Sequence, residues 1–151
     1  MLTLRRERLD GPAGETLLAA FTDEIVPLYP GWRPDTGPSA TAEELSPPTG
    51  VFFVAYVDDE PAGCGGIKRL SDEAAELKRL YVAPAVRNQG VARALIAGLE
   101  DAAREAGYRV LRLDTGANQP AALELFRSVG YREIDDYNAN PYASYWFEKQ
   151  L

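Results

Sequence analysis

The chain of 151 residues, 46% hydrophobic and 26% charged, is long enough for one domain with its own hydrophobic core. It contains no histidine and a single cysteine, which excludes Ser-His-Asp and Cys-His catalysis, an internal disulfide and most zinc sites. A formal net charge of -7 argues against nucleic acid as the main partner and mildly favours cationic substrates such as amines.

The N-terminal segment, MLTLRRERLDG, is charged almost from its start and lacks the apolar core of a signal peptide. No apolar stretch approaches the length needed to span a bilayer. We therefore expect a cytoplasmic protein without a membrane partner or a metal. Cys64 lies in a Gly-rich apolar run, PAGCGGI, which is typical of a buried structural thiol rather than a nucleophile.

The first third of the chain predicts a strand, a helix and a long loop. Residues 1–8 alternate apolar and polar side chains, as an edge strand does, and residues 14–28 carry apolar side chains at helical spacing. The segment 31–50 is rich in Pro, Thr and Ser and is predicted to be a loop, with a short helix at 41–45. A connection of this length in a compact domain is often functional.

Three strands are predicted next. Residues 51–57 (VFFVAYV) form a continuous apolar run, which is typical of a buried strand. Residues 62–70 return as the second strand of a hairpin, in which glycines permit close approach of another backbone. Residues 76–82 (ELKRLYV) form the third strand of this group.

The second half of the chain alternates helices with strands. Residues 88–106 predict a strongly amphipathic helix that Gly107 ends. The remaining predicted elements are a strand at 110–114, a helix at 120–129, and strands at 131–134 and 144–148 joined by a loop at 135–143. This order predicts a mixed sheet flanked by helices, in one domain that covers residues 1–151.

The turn before the long helix has the features of an anion site. Gly90 and Ala92 are small residues at the helix entrance, so an anion can approach the backbone there. The free N–H groups of a first helical turn and the helix dipole both favour negative charge. Arg87 and Arg93 add positive charge beside the turn. The same pattern is also typical of an ordinary strand-to-helix connection in which a small residue serves packing.

Two segments together resemble the GNAT acetyltransferase superfamily. Arg87-x-x-Gly90-x-Ala92, between a strand and a long amphipathic helix, resembles its Arg/Gln-x-x-Gly-x-Gly/Ala signature. The residues that resemble its second conserved region are Asn118, Ala121, Leu125, Phe126, Gly130 and Tyr131. The resemblance implies the GNAT acyl-CoA N-acyltransferase fold, of the α/β (α+β) class. Its central sheet is mostly antiparallel, is splayed at the cofactor site and is flanked by helices.

The resemblance also implies acetyl-CoA as the cofactor. The turn at 88–92 would bind the pyrophosphate through its backbone, and the strand at 80–82 would pair with the pantetheine arm as a further strand. Asn118 would contact the end of that arm. The implied cofactor-binding residues are Leu80, Tyr81, Val82, Arg87, Asn88, Gln89, Gly90, Val91, Ala92, Arg93, Asn118 and Phe126.

Acetyl transfer to an amine requires removal of a proton from the ammonium group, stabilisation of the thioester oxygen and a proton for the leaving thiolate. Direct transfer needs no protein nucleophile, which suits a chain without histidine. A strand N–H, such as that of Tyr81 or Val82, could stabilise the oxygen. Glu76 is the candidate base because some family members carry a catalytic Glu there. The alternative is a solvated carboxylate paired with Lys78.

Phe126 departs from the family pattern. The family usually has a tyrosine there, whose hydroxyl protonates the CoA thiolate, and a phenylalanine has no such proton. Phe126 would then either belong to the core or pack on the pantetheine. The proton would have to come from water or from another tyrosine, with Tyr142 as the first candidate and Tyr145 as the second.

Lys78 and Arg79 are cations inside an otherwise apolar strand. Strict alternation would place Glu76, Lys78 and Leu80 on one face, and Arg79 and Tyr81 on the other. One cation could bind a carboxylate of the substrate, which would make the acceptor an amino acid or a similar zwitterion. Alternatively, both cations belong to structural ion pairs.

Trp32 and Tyr29 lie near the first long loop, where they could line an acceptor pocket or serve packing. The favoured function is transfer of an acetyl group from acetyl-CoA to a primary amine of a small molecule. The alternatives are acetylation of a protein or peptide, and a CoA-binding sensor without turnover, which the missing tyrosine at Phe126 keeps open. Many relatives dimerise, so a homodimer is compatible with the resemblance.

Overall fold

The computed structural model describes all residues from Met1 to Leu151. Its elements are β1 (Leu2–Arg6), α1 (Pro12–Ile25), β2 (Val51–Val57), β3 (Glu60–Arg69), β4 (Ala74–Val82), α2 (Val91–Glu105), β5 (Val110–Thr115), α3 (Pro120–Ser128), β6 (Arg132–Ile134) and β7 (Tyr145–Gln150). A single 3-10 turn, Pro84–Val86, separates β4 from the start of α2. The predicted order of helices and strands is confirmed, with ends that shift by a few residues.

The short helix predicted at 41–45 is not formed, and this segment is a run of turns. Thr41 and Glu44 cap one turn reciprocally: the Glu44 N–H donates to Thr41 Oγ1 at 3.1 Å, and the Thr41 N–H donates to Glu44 Oε1 at 3.0 Å. Two prolines, Pro47 and Pro48, follow directly and cannot continue a helix. The capping signal is therefore real, but it stabilises a single turn.

All seven strands form one sheet in the order β1-β2-β3-β4-β5-β7-β6. Neighbouring strands are antiparallel except β4 and β5, which are parallel. These two strands pair only where Ala74–Glu76 lies beside Val110–Arg112. Beyond these residues β4 and β5 no longer pair, so the predicted splay of a mostly antiparallel sheet is confirmed.

The sheet is covered on both faces, which explains the continuous apolar run of β2. Val51, Phe53 and Ala55 belong to the core under α2 and α3. Phe52 and Val54, between them in sequence, belong to a second core that includes Leu17 of α1. Alternation with a period of two therefore supplies apolar side chains to two cores at once.

A bulge interrupts β4 at the point where the sheet opens. The register between β3 and β4 shifts between Cys64 and Gly66, so that β4 has one more residue than its partner over this stretch. Arg79 lies at the shift with a φ of 59°, in the left-handed region that few residues other than glycine adopt. The extra residue reverses the alternation of the side chains that follow it.

The facial assignment that strict alternation predicts for β4 is therefore wrong. Leu80 packs with the core under α2, rather than on the face that carries Glu76 and Lys78. Tyr81 belongs to the core under α1, and the Arg79 side chain also extends to the α1 face, where it donates to the carbonyl of Pro34. The bulge thus gathers the polar side chains of β4 on one face.

No helix of the structure combines the length and the apolar character that are needed to cross a membrane.

Candidate active site

A cleft lies where β4 and β5 separate. Helices α1 and α3, the loop after α1 and the loop before β7 complete its walls. The cleft is lined by Phe21, Ile25, Tyr29, Trp32, Thr36, Pro38, Leu77, Lys78, Arg79, Leu80, Leu113, Asp114, Thr115, Gly116, Gln119, Ala122, Phe126, Asn140, Tyr142 and Ala143. Because these side chains come from both faces of the sheet, the cleft connects the α1 side with the α3 side.

The structure brings six of the predicted site residues together around this cleft: Trp32, Lys78, Arg79, Leu80, Phe126 and Tyr142. The predicted phosphate turn lies at the N-terminus of α2, outside the lining, as does Asn118. Glu76 also lies outside the lining, although it belongs to the same strand as Lys78. The predicted site residues therefore divide between this cleft and the turn before α2, which is the predicted anion site.

The turn before α2 presents a row of free backbone donors. The N–H groups from Asn88 to Arg93 donate to no acceptor in a turn, a loop or a side chain. Asn88 and Gly90 are left-handed, with φ values of 64° and 82°, and such residues bend successive N–H groups toward a common concavity. Free donors at the N-terminus of a 15-residue helix fit a pyrophosphate.

The two arginines beside this turn contact different helices. The Arg87 side chain donates from Nε to the carbonyl of Val82 at 3.0 Å and from Nη2 to Glu24 of α1 at 2.6 Å. The Arg93 side chain donates to the Ser128 hydroxyl, at the end of α3, at 2.9 Å. Both guanidinium groups are exposed, so they remain available to phosphates near the turn.

The edge of β4 that faces β5 is unpaired beyond Glu76. Val82 and Tyr81 pair with Gly63 and Cys64 of β3 on the other side, so this part of β4 is held in extended form from one edge only. An open strand edge can accept an extended ligand arm as it would accept a further strand. The geometry therefore fits the predicted contact between β4 and pantetheine.

Asn118 is bound to the segment that follows α1. Its side-chain amide donates to the carbonyl of Leu28 at 2.8 Å, and its backbone N–H donates to the Tyr29 hydroxyl at 3.1 Å. The same hydroxyl donates to Gln119 Oε1 at 3.1 Å. A Cβ added at Gly116 would lie 2.1 Å from this hydroxyl, so only glycine admits the Tyr29 ring here. Tyr29, which lines the cleft, is therefore fixed against the start of α3 by these hydrogen bonds.

Glu76 is almost completely buried, with 1% of its surface exposed. Its Oε2 accepts hydrogen bonds from the Tyr137 hydroxyl at 2.5 Å and from Asn138 Nδ2 at 3.0 Å. Oε1 has no hydrogen-bond donor, and the nearest cation is Lys78 Nζ at 3.6 Å. The alternative pairing with Lys78 is thus present, but the expectation of a solvated carboxylate is wrong because Glu76 is buried. The role of Glu76 as a base stays a prediction.

Arg79, unlike Lys78, forms no ion pair with a carboxylate. Its Nη2 donates to the carbonyl of Pro34 at 2.8 Å, its Nε is buried without an acceptor, and its guanidinium lies 5.8 Å from the centre of the Trp32 ring. Burial lowers the pKa of this guanidinium, and the charge of Asp114 acts in the opposite direction. A guanidinium stays protonated at neutral pH, so Arg79 is a cation on the wall of the cleft.

Sequence reasoning missed a polar network on the opposite wall. Asp114, on β5, accepts hydrogen bonds at Oδ2 from Asn138 at 2.5 Å and from Asn140 at 3.2 Å. The Trp146 indole donates to Asn138 Oδ1 at 2.9 Å, which fixes the orientation of the Asn138 side chain. The signal available in the sequence was a carboxylate near the end of a predicted strand, at 110–114.

Phe126 belongs to the core and also borders the cleft. It is 4% exposed and packs edge to face on Tyr131, with 5.8 Å between ring centres. Tyr142 lines the cleft. Tyr145, on β7, pairs with Thr115 of β5 and does not line the cleft. Of the two tyrosines that could replace the usual acid, Tyr142 has the better position.

The single cysteine is not a nucleophile. The Cys64 side chain is buried, and its thiol donates to the carbonyl of Arg79 at 3.4 Å. Burial raises the pKa of this thiol to about 12, so it stays protonated at neutral pH. The prediction of a structural thiol agrees with this environment, and the chemistry must proceed without a covalent enzyme intermediate on sulfur.

The comparisons with known proteins agree with this geometry. Residues 18–131 match the model of the acetyltransferase (GNAT) family. An N-acetyltransferase of Bacillus subtilis named YsnE is 25% identical over 94% of this chain and 97% of its own. The IAA acetyltransferase of Azospirillum brasilense is 29% identical over 99% of this chain and 98% of its own.

Solved structures show the same architecture. An acyl-CoA N-acyltransferase structure from Klebsiella pneumoniae aligns with a TM-score of 0.81 and 28% identity, over 100% of this chain and 98% of that chain. Other structures of this fold hold CoA or acetyl-CoA. The turn before α2, the open edge of β4 and the family match agree, and acetyl-CoA is the cosubstrate. The chain belongs to the GNAT family and is an acetyl-CoA-dependent N-acetyltransferase.

Proposed function

We propose that the chain, as one domain over residues 1–151, transfers acetyl to the primary amine of a small zwitterion such as an amino acid. The observation that carries this proposal is Arg79, a cation on the cleft wall that has a buried Nε without an acceptor and forms no ion pair. A partly buried guanidinium without an ion-pair partner is costly, and a ligand of opposite charge reduces that cost. A substrate carboxylate fits this requirement, since guanidinium binds carboxylates through two parallel hydrogen bonds.

The shape of the cleft supports a small acceptor. On the α1 side its walls include Phe21, Trp32, Thr36 and Pro38, so the helix and the loop after it cover the acceptor end. Phe21 and Trp32 pack edge to face, with 5.8 Å between ring centres, which gives this wall a fixed aromatic surface. The name of the Azospirillum relative gives IAA as what it acetylates, which supports a small-molecule acceptor here.

The roles of the residues follow from their positions. When bound, acetyl-CoA supplies an acetyl thioester in the gap between β4 and β5. The free N–H groups from Asn88 to Arg93 would hold the pyrophosphate, and β4 N–H groups on its open edge would stabilise the thioester oxygen. Arg79 would orient the acceptor, and Tyr142 would protonate the thiolate. Glu76, the predicted base, does not line the cleft and pairs with Lys78, so it could take a proton from the acceptor only through a water.

A thiol-release assay tests the acceptor class. We expect an amino acid to give the highest kcat/KM in a panel of amino acids, their decarboxylated amines and short peptides. The decarboxylated amines should be about 10-fold worse or more, because they leave Arg79 without its partner. A preference for peptides would contradict the proposal. Binding of CoA in calorimetry, without turnover of any amine, would favour the sensor alternative.

The Tyr142→Phe substitution tests the proposed acid. We expect kcat to fall about 10-fold, less than a full general-acid contribution, because water can also reach the open cleft. The affinity for CoA should not change. Tyr145→Phe is the matched control, since it removes the same hydroxyl from a neighbouring tyrosine that does not line the cleft. Equal kcat values for the two variants would refute the role of Tyr142.

A further inference from the structure

We infer that Asp114 binds the reacting amine of the acceptor and removes its proton. This inference rests on the proposed function, because it takes the acceptor to be a small amine in the cleft. Asp114 lies on β5 two residues beyond Arg112, the last residue that pairs with β4. Its side chain lines the cleft, as does Arg79 on the opposing strand. The cleft therefore carries one carboxylate and one guanidinium, from two strands that no longer pair.

The two carboxylate oxygens of Asp114 have different environments. Oδ2 accepts the hydrogen bonds from Asn138 and Asn140, which fix the plane of the group. Oδ1 accepts no hydrogen bond from the protein and is not fully buried, and the residue lines the cleft, so this oxygen is accessible to a ligand. One oxygen is thus held in place, and the other is free to accept a hydrogen bond from a ligand.

No cation of the protein pairs with Asp114. Two cations on the same strands have other partners: Arg112 pairs with Glu148 at 3.2 Å, and Lys78 pairs with Glu76 at 3.6 Å. Arg79 feels the charge of Asp114 but forms no ion pair with it. The donors that hold Asp114 are neutral amides, which orient a carboxylate without neutralising it. A partly buried carboxylate without a counter-ion favours a cationic ligand. Lys78 also lines the cleft but is paired with Glu76, so the charges without an ion-pair partner are Asp114 and Arg79, and together they complement a zwitterion.

Glu76 does not offer this arrangement. Its Oε2 already accepts two hydrogen bonds, its Oε1 faces Lys78, and it does not line the cleft. Asn138 Nδ2 lies between the two carboxylates and donates to both, at 3.0 Å to Glu76 and at 2.5 Å to Asp114. The buried carboxylate thereby helps to hold the amide that orients the cleft carboxylate, while Asp114 is the one in reach of a substrate.

The step balances without a further reactant. An ammonium group of the acceptor donates to Asp114 Oδ1 and gives up one proton, through the carboxylate, to water. The freed nitrogen pair forms the C–N bond at the thioester carbonyl carbon. The C–S bond then breaks with its electron pair on sulfur. The nitrogen loses its second proton, the thiolate takes up one proton, and the products are the N-acetyl compound and CoA.

Equilibrium binding to the complex of the full chain with CoA tests the inference. The probes are leucine and two analogues of it: isocaproate lacks the amine, and isoamylamine lacks the carboxylate. If the panel selects another amino acid, its matching analogues are used instead. We expect the wild type to bind the amino acid about 30-fold or more tightly than the des-amino compound. In Asp114→Asn this preference should fall below about 3-fold, because the charge that favours an ammonium is gone.

Two further variants make the result specific. Asp101→Asn removes a carboxylate from the exposed surface of α2 and should keep the wild-type preference. Asp114→Glu keeps the charge on a longer side chain and should restore part of the preference, which a purely structural role of Asp114 would not produce. Unchanged CoA affinity will show that Asp114→Asn is folded.

The outcomes separate the two proposals. An amine preference that persists in Asp114→Asn overturns the inference about Asp114. If the wild type binds isoamylamine as tightly as leucine, the zwitterion in the proposed function is wrong. The role of Asp114 is then tested with isoamylamine and isoamyl alcohol. The wild type should bind the amine more tightly than the alcohol, and Asp114→Asn should lose this preference.

Discussion

Substitution of Gly90 by valine is expected to lower the affinity for CoA by about 100-fold or more, because hydrogen bonds to a charged group contribute about 1.5–3 kcal/mol each. Gly90 has a φ of 82°, which a β-branched residue does not adopt without strain, so the N–H groups around it would reorient. A Cβ at this position would meet no protein atom within 4 Å, and the valine methyl groups would occupy the open space beside the free donors. Calorimetric titration with CoA measures the effect.

Gly107→Val is the matched control for this experiment. Gly107 follows the same helix at its other end, has a φ of 91°, and also has open space where a Cβ would stand. The backbone strain of the two variants is therefore similar, and thermal unfolding should report a similar loss of stability. Only Gly90→Val should lose CoA affinity. If both variants bind CoA equally well, the turn before α2 does not bind the pyrophosphate.

The Glu76→Gln substitution is expected to destabilise the protein by about 3 kcal/mol or more, because it leaves a buried cation unpaired. The Lys78 side chain is 10% exposed, and Glu76 is the carboxylate with which it pairs. A glutamine can still accept hydrogen bonds from Tyr137 and Asn138, but it removes the negative charge beside Lys78. Urea denaturation at neutral pH measures the loss in the free energy of unfolding.

The double variant Glu76→Gln/Lys78→Met separates the ion pair from the rest of the network. It removes both charges and should recover much of the stability that Glu76→Gln alone loses. A double variant as unstable as the single one would show that Lys78 is not the cause. The same single variant tests catalysis: turnover equal to the wild type across a pH series, at a temperature where it is folded, would refute the predicted base role of Glu76.

The sequence predicted those parts of the structure that depend on local patterns. The spacing of Val91, Leu95 and Leu99 fixes the buried face of α2, and the apolar run of β2 predicts a strand that is covered on both sides. The small residues and arginines around Gly90 likewise predicted the free donors before α2, because helix N-termini always leave N–H groups unpaired.

The parts that could not be predicted depend on distant contacts. The bulge at Arg79 carries no turn residue of its own. It lies opposite Gly65 on β3, where an added Cβ would lie 3.1 Å from Leu99 and 3.3 Å from Leu80. Asn138 is 62 residues from Glu76 and 24 residues from Asp114 in sequence, yet one amide contacts both. Only the assembled sheet and loop bring these groups together.

The short contact between β4 and β5 divides the sheet into two parts that are joined by only a few residues. One part contains β1 to β4 and the other contains β5 to β7. They pair only where Ala74–Glu76 lies beside Val110–Arg112. A ligand that lies between these two parts would take the place of the hydrogen bonds that β4 and β5 do not form. Acetyl-CoA would then also hold the two parts of the sheet together, so we expect the folded chain to be more stable when it is bound.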